Sequence, residues 1–335
     1  MKSINVIPGR FFIVSFLCFW LSFSAFSQQT VEQKQALAQS FELGSLMAKA
    51  NAGDAQAQYE LGMKYLNGEI KGTFETPDKK EAARWFAKSA NGGSSDGMVA
   101  HGDCLRCGIL YQDKKEAFKW YKNAAKKNNR HAIYYLGVCF RDGVGVARDY
   151  KVAFENFNKA YAMGHMWAAN ALAGFYFEGL VVDKNLIEAF KLWEEASANG
   201  DTIAYSNLGR CYMFGQGTEI DPKLGCYWYE KSADAGYVAA QFFLGELYYN
   251  GASPAVEGVN IRFDYKKAAH FLQLAAKNKN LPDYAKGETY RYLAECYRFG
   301  RGVEQDQDMA NYYTREAAKY GDSNAAEIIK WLNME

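Results

Sequence analysis

The sequence predicts an all-α protein, a right-handed α/α superhelical solenoid of about seven helix-turn-helix repeats. Three observations predict it. A leucine recurs every 36 residues at Leu136, Leu172, Leu208 and Leu244, each followed by a small residue, Gly137, Ala173, Gly209 or Gly245. An aromatic follows four residues after each leucine, at Phe140, Tyr176, Tyr212 and Tyr248, and a glycine three further on, at Gly143, Gly179, Gly215 and Gly251. The composition agrees: 30 glycines against 5 prolines in 335 residues suit helices that stop at regular intervals, not collagen or a loop-rich β protein.

The first element is a leader. Lys2 and Arg10 precede a charge-free apolar stretch from Phe11 to Phe26, shorter than the roughly 20 residues a membrane span requires. Ala25 and Ser27 supply the small residues of a cleavage site before Gln28, so residues 1–27 read as a secretory signal peptide, with Cys18 as filler inside it. No Asn-x-Ser/Thr sequon occurs, which fits export across a bacterial inner membrane to the periplasm or beyond, with no membrane span in the mature chain. Residues 28–335 are then one solenoid. A capping helix is expected over about 31–52, repeats over about 54–321, and a second capping helix over about 323–333, because bare solenoid ends leave apolar surface wet.

The leucine frame extends upstream to Leu61, Gly62, Tyr65 and Gly68 and downstream to Leu293, Ala294, Tyr297 and Gly300, with a degenerate copy through His101, Gly102, Leu105 and Gly108. A second helix follows the first in every copy. Its small residues Ala82, Ala117, Ala153, Ala189, Gly225, Ala268 and Ala310 stand seven before Ser89, Ala124, Ala160, Ala196, Ser232, Ala275 and Ala317, two helical turns apart on one stripe. Trp85, Trp120, Phe157, Trp193, Trp228 and Phe271 are expected to fill the gaps beside that stripe. Four residues before each small position sits an N-cap: Asp78, Asp113, Asp149, Asn185, Asp221, Asp264 or Asp306. Glu81, Glu116 and Glu188 complete capping boxes, and Pro222 takes a first helical position.

These residues resemble the Sel-1-like repeat family, related to the tetratricopeptide solenoids, whose unit pairs an L-G-x-x-Y-x-x-G-x-G helix and loop with a D-x-x-K-A-x-x-W-x-x-K-A-A-x-x-G helix. The copies at 129–164 and 201–236 match closely, and the resemblance covers roughly 50–321. It departs from the pattern at His101, in the longer loop between Gly251 and Ala268, and in an insertion over 278–284. The resemblance implies a fold; it does not by itself imply an activity.

Candidate chemistry is sparse. A formal net charge of +1 and the absence of a basic block exclude a nonspecific nucleic-acid binder. The G-x-G pieces at Gly143/Gly145, Gly215/Gly217 and Gly300/Gly302 share one repeat phase with no strand before them, so they read as turns, not phosphate cradles. Cys104, Cys139, Cys211 and Cys296 share a phase too, and read as small buried apolar thiols. The local disulfides worth testing are Cys104 with Cys107 and Cys211 with Cys226. His101, His131, His165 and His270 lack metal-ligand spacing, so no metal and no cofactor is expected. The resemblance brings in relatives described as β-lactam-binding, yet no S-x-x-K, S-D-N or K-T-G string is present.

A recognition surface remains. In each first helix the repeat-constant residues face one way, so positions −5, −2, +2 and +5 from the leucine face nearly the other. They hold Tyr59, Tyr134 and Phe242 at −2, Trp167 at −5, Arg210 and Glu246 at +2, and Arg141, Phe177 and Tyr249 at +5, with Arg106 and Arg298 also at +5. Aromatics and arginines dominate interaction hot spots. The expected function is therefore a non-catalytic scaffold of the cell envelope that binds a peptide or protein on the inner solenoid surface. The alternative is an envelope hydrolase acting on peptidoglycan or a β-lactam, with its chemistry after Gly251 or around Cys104.

Overall fold

A computed structural model of the chain describes residues 31–70, 78–251 and 261–331. The leader expected over 1–27 and most of the longer loop after Gly251 lie outside the described residues. Sixteen helices and no strand occur among the described residues. They fall into two compact units, Met1–Asn129 and Arg130–Glu335.

In the first unit, α1 (Val31–Asn51) packs on α2 (Ala55–Leu66), which pairs with α3 (Lys79–Asn91), and α3 in turn packs on α4 (Ser95–Cys107), which pairs with α5 (Lys114–Ala125). In the second unit the pairs are α6 (Arg130–Asp142) with α7 (Tyr150–Ala162), α8 (Ala168–Glu178) with α9 (Leu186–Ala198) and α10 (Thr202–Phe214) with α11 (Pro222–Asp234). They continue with α12 (Val238–Asn250) against α13 (Tyr265–Lys277) and α14 (Asp283–Phe299) against α15 (Gln307–Lys319), closed by α16 (Ser323–Trp331) on α15. Each second helix of the unit also packs on the first helix of the next pair.

The second helices start where their caps predict. Asp78, Asp113, Asp149, Asn185, Asp221, Asp264 and Asp306 each accept from the backbone N–H three residues on, at 2.8 to 3.0 Å. Pro222 opens α11, where its missing N–H costs nothing. The stripe of small residues is buried in every pair, and where a serine replaces alanine its hydroxyl is used. Ser89 donates to the Ala55 carbonyl at 2.5 Å, and Ser232 to the Thr202 carbonyl at 2.7 Å, tying the end of each second helix to the start of its partner.

The glycine after the repeat leucine is a notch for a ring. A Cβ on Gly62, Gly102, Gly137 or Gly209 would lie 2.6 to 2.7 Å from Phe86, Tyr121, Phe157 or Tyr229, and one on Gly245 would lie 2.7 Å from Leu272. The occupant is thus one residue beyond the expected Trp85, Trp120, Trp228 and Phe271 in four pairs, while Phe157 fills the notch itself. Trp85 and Phe271 are buried elsewhere in the packing, and Trp120 and Trp228 are half-buried.

The G-x-G segments are turns held against backbone. Gly215, Gly217, Gly300 and Gly302 all have positive φ. A Cβ on Gly217 would lie 2.1 Å from the Leu186 carbonyl oxygen, and one on Gly302 would lie 1.8 Å from that of Tyr265. The second glycine therefore lets the loop lie directly on the start of the preceding pair's second helix, a packing role that leaves no room for a phosphate there.

Candidate functional site

The expected recognition residues divide into exposed, half-buried and buried groups. Tyr59 is half-buried on α2 against Phe86, with ring centroids 5.9 Å apart. Phe242 is half-buried on α12 against Ala275, Leu281 and Ala285. Arg141 is paired with Asp142 at 2.7 Å and lies over the Phe157 ring. Phe177 and Tyr249, placed by the sequence on an outward face, are instead buried at 8% and 7% exposure. At these two +5 positions the flank of the first helix is covered by residues that follow it in the chain. Phe177 meets Trp193 of its own pair and Arg210 of the next. The Tyr249 hydroxyl donates to Glu295 and accepts from Arg301. Glu246 is half-buried, and burial with Glu288 nearby pushes its carboxyl up against the opposing pull of Arg291.

Two of the residues, Tyr134 and Trp167, form one aromatic and imidazole cluster with His165 and His131, which the sequence pattern did not single out. Tyr134 stacks on His165 with centroids 4.3 Å apart, and Trp167 packs edge-on to His165 at 5.6 Å. His165 Nε2 lies 3.1 Å from His131 Nδ1. The clue in the sequence was a 34-residue separation, close to one repeat. Trp167 stands before α8 with 41% of its surface exposed, beside Met166 at 49%, and Ile203 occupies the same repeat position one copy on at 44%. Such a cluster offers apolar and ring surface; it offers no activated nucleophile.

His165 is 2% exposed and its Nδ1 is buried without a hydrogen-bond partner. Burial, then the charges of His131 and Arg130, lower its pKa from 6.5 to about 4. An unfolded chain takes up this proton first as pH falls, so stability is full above about pH 6.5 and declines between 6.5 and 4. The loss reaches about 3 kcal/mol at the lower end. Urea unfolding across this window is expected to show a steeper decline for the wild type than for His165→Gln; parallel declines would contradict it.

The buried cysteines pack within the fold. All six described cysteines are free, including both pairs singled out as disulfide candidates. Cys104, Cys139, Cys211 and Cys296 are buried, and burial pushes the thiols of Cys104, Cys211 and Cys296 up to about 12, which removes nucleophilic thiolate near neutral pH. His101, in the leucine slot, is half-buried edge-on to Trp120 at 5.5 Å. Among the described residues no group of three or more histidine, cysteine or acidic side chains is arranged to hold a metal. No helix among the described residues is long and apolar enough to cross a membrane.

Comparison with known proteins places this geometry. The Sel1 repeat model matches residues 55–94, 95–129, 130–165, 168–201, 202–237, 238–280 and 288–322. A crystal structure of a Sel1 repeat protein from Oxalobacter formigenes is 25% identical, covers 94% of this chain and 85% of that one, and superposes with a TM-score of 0.61. A protective antigen of uropathogenic Escherichia coli displaying an SLR fold is 28% identical over 84% of this chain and 57% of its own, with a TM-score of 0.53. Protein sel-1 homolog 2 of Mus musculus is 31% identical over 202 residues, which span 50% of this chain and 29% of the mouse protein. The chain thus spans less than a third of the curated mouse relative it matches. Seven repeats, paired as their caps and glycine notches require, make this chain a member of the Sel1 repeat family.

Proposed function

We propose that this chain is an exported, non-catalytic scaffold of the bacterial cell envelope that binds a protein or peptide partner along the first helices of its repeats. Sel1 repeat proteins in general mediate protein–protein interaction on a scaffold without catalytic machinery. The observation that carries the reading to this chain is the exposed indole of Trp167, seated on the Tyr134–His165 stack with Met166 exposed beside it in sequence and Ile203 exposed at the same position of the next repeat. An exposed aromatic supported from beneath by other rings is the kind of anchor on which binding energy concentrates. The charge-bearing, apolar leader at 1–27 supports export, and the near-zero net charge means that selectivity rests on local contacts.

Trp167→Ala removes the anchor and, because the side chain is already 41% exposed, little packing. Affinity enrichment from the native envelope is expected to lose the specific partner with Trp167→Ala while the circular dichroism spectrum stays unchanged. Full retention of the partner would contradict the proposed face. Hydrolysis of peptidoglycan fragments or a β-lactam by the purified chain, abolished by one substitution, would replace the scaffold reading with an enzyme.

A further inference from the structure

We infer that Arg210 is a receptor for a carboxylate of the bound partner. The inference rests on the partner-binding reading and deepens it. Arginines on the other first helices are satisfied within the fold: Arg106 pairs with Asp103, Arg141 with Asp142, Arg291 with Asp322, and Arg298 donates to Thr314. Arg210 makes no hydrogen bond or ion pair with any described residue. Its guanidinium carbon lies 4.1 Å from the centroid of the Phe177 ring and 5.6 Å from that of Trp193, and its Nε is buried with no acceptor. Its charge acts on the Tyr229 and Tyr237 hydroxyls and on the Cys211 thiol.

A half-buried cation without a counterion is costly, and contact with ring faces offsets only part of that cost. The surroundings nevertheless hold the guanidinium in place. Trp193 is fixed by its Nε1–H, which donates to Asn170 Oδ1 at 3.0 Å. The same oxygen accepts from Asn207 Nδ2 at 3.3 Å, one helical turn before Arg210 on α10. With Nε buried, a guanidinium resting on a ring keeps the edge formed by its two terminal Nη groups for a ligand, and a planar carboxylate matches that edge with two parallel hydrogen bonds. An acidic side chain and a chain terminus present the same group, so either source fits.

The test follows the Arg210 Nε–H resonance of the ¹⁵N-labelled folded chain during titration with three probes: N-acetyl-Tyr-Leu as the free acid, the same dipeptide as its amide, and N-acetyl-Asp-Leu-amide. The expected result is movement of this resonance with one or both acids and not with the neutral amide, and binding of the acid about tenfold tighter than of the amide, as one charge-assisted pair supplies. Arg210→Gln should erase that difference, and Arg210→Lys, which keeps the charge but not the fork, should recover only part of it. Which acid responds tells a chain terminus from a side chain. An unmoved resonance with both acids, or an unchanged acid-to-amide ratio in Arg210→Gln, overturns the inference. Loss of the Trp167-dependent partner would leave a responsive Arg210 standing, and an inert Arg210 would leave Trp167-dependent capture standing, so the two readings fail separately.

Discussion

Trp193→Ala is expected to destabilise the second unit by about 3–5 kcal/mol, the range for removing a fully buried large aromatic. Trp193 is 2% exposed, packs on Phe177 at 5.3 Å, lies under Arg210 and is anchored to Asn170. In a repeat protein the loss is felt in the pair itself and at its interface with the next, because each repeat is stabilised by its neighbours. Trp193→Phe keeps most of the buried ring and loses the Nε1–H donor. It should cost about 1 kcal/mol, since Asn170 keeps its bond from Asn207. Urea unfolding followed by tyrosine and tryptophan fluorescence distinguishes these variants; equal midpoints for the alanine and phenylalanine variants would contradict the packing described.

Gly302→Ala is expected to be far more damaging than Gly321→Ala, although both glycines have positive φ, +77° and +87°. At Gly321 the added Cβ meets nothing within 4 Å, so only the left-handed backbone is penalised, by about 1–2 kcal/mol. At Gly302 the same carbon would lie 1.8 Å from the Tyr265 carbonyl oxygen, a backbone atom at the start of α13 that cannot swing aside. The loop must then leave the helix, adding strain and lost contacts and carrying the total beyond about 3 kcal/mol. Thermal unfolding of the two variants checks this, and similar melting temperatures would show that the G-x-G turn is not pressed against backbone.

Most of the fold is legible in the sequence because the features that build it are local. A cap, a small residue four positions later and a second small residue seven beyond that define one helix and its buried stripe without reference to the rest of the chain. The seven caps at Asp78, Asp113, Asp149, Asn185, Asp221, Asp264 and Asp306 are therefore found where they are expected. The ring that fills each glycine notch is less legible. Tryptophans attract the alignment by their size, but the backbone opening at Gly62, Gly102 and Gly209 faces the next residue, Phe86, Tyr121 and Tyr229. A pairing of each leucine-plus-one glycine with a bulky residue four beyond the small position would have shown it.

The site was legible as a set of slots and not as a surface. Projection of a single helix separates a constant face from a variable one, yet it does not contain the neighbouring helices. Phe177 and Tyr249 sit in variable slots and are covered by Trp193 and Arg210, and by Tyr265 and Tyr292. Their variation reflects differing contacts between successive pairs. Trp167 stays exposed at the −5 slot, as Ile203 does one copy on, whereas Arg210 differs from the other first-helix arginines in lacking an internal partner, a property that helical spacing does not carry.

The most direct test of the scaffold reading is site-specific photocrosslinking in the native envelope. A benzoylphenylalanine is placed singly at Trp167 or Ile203, exposed residues of the first-helix face, and at Lys151 or Lys191, exposed residues on second helices. The same partner adduct is predicted from Trp167 and Ile203, with none from Lys151 or Lys191. An adduct formed only from the second-helix positions, or equally from all four, would contradict it.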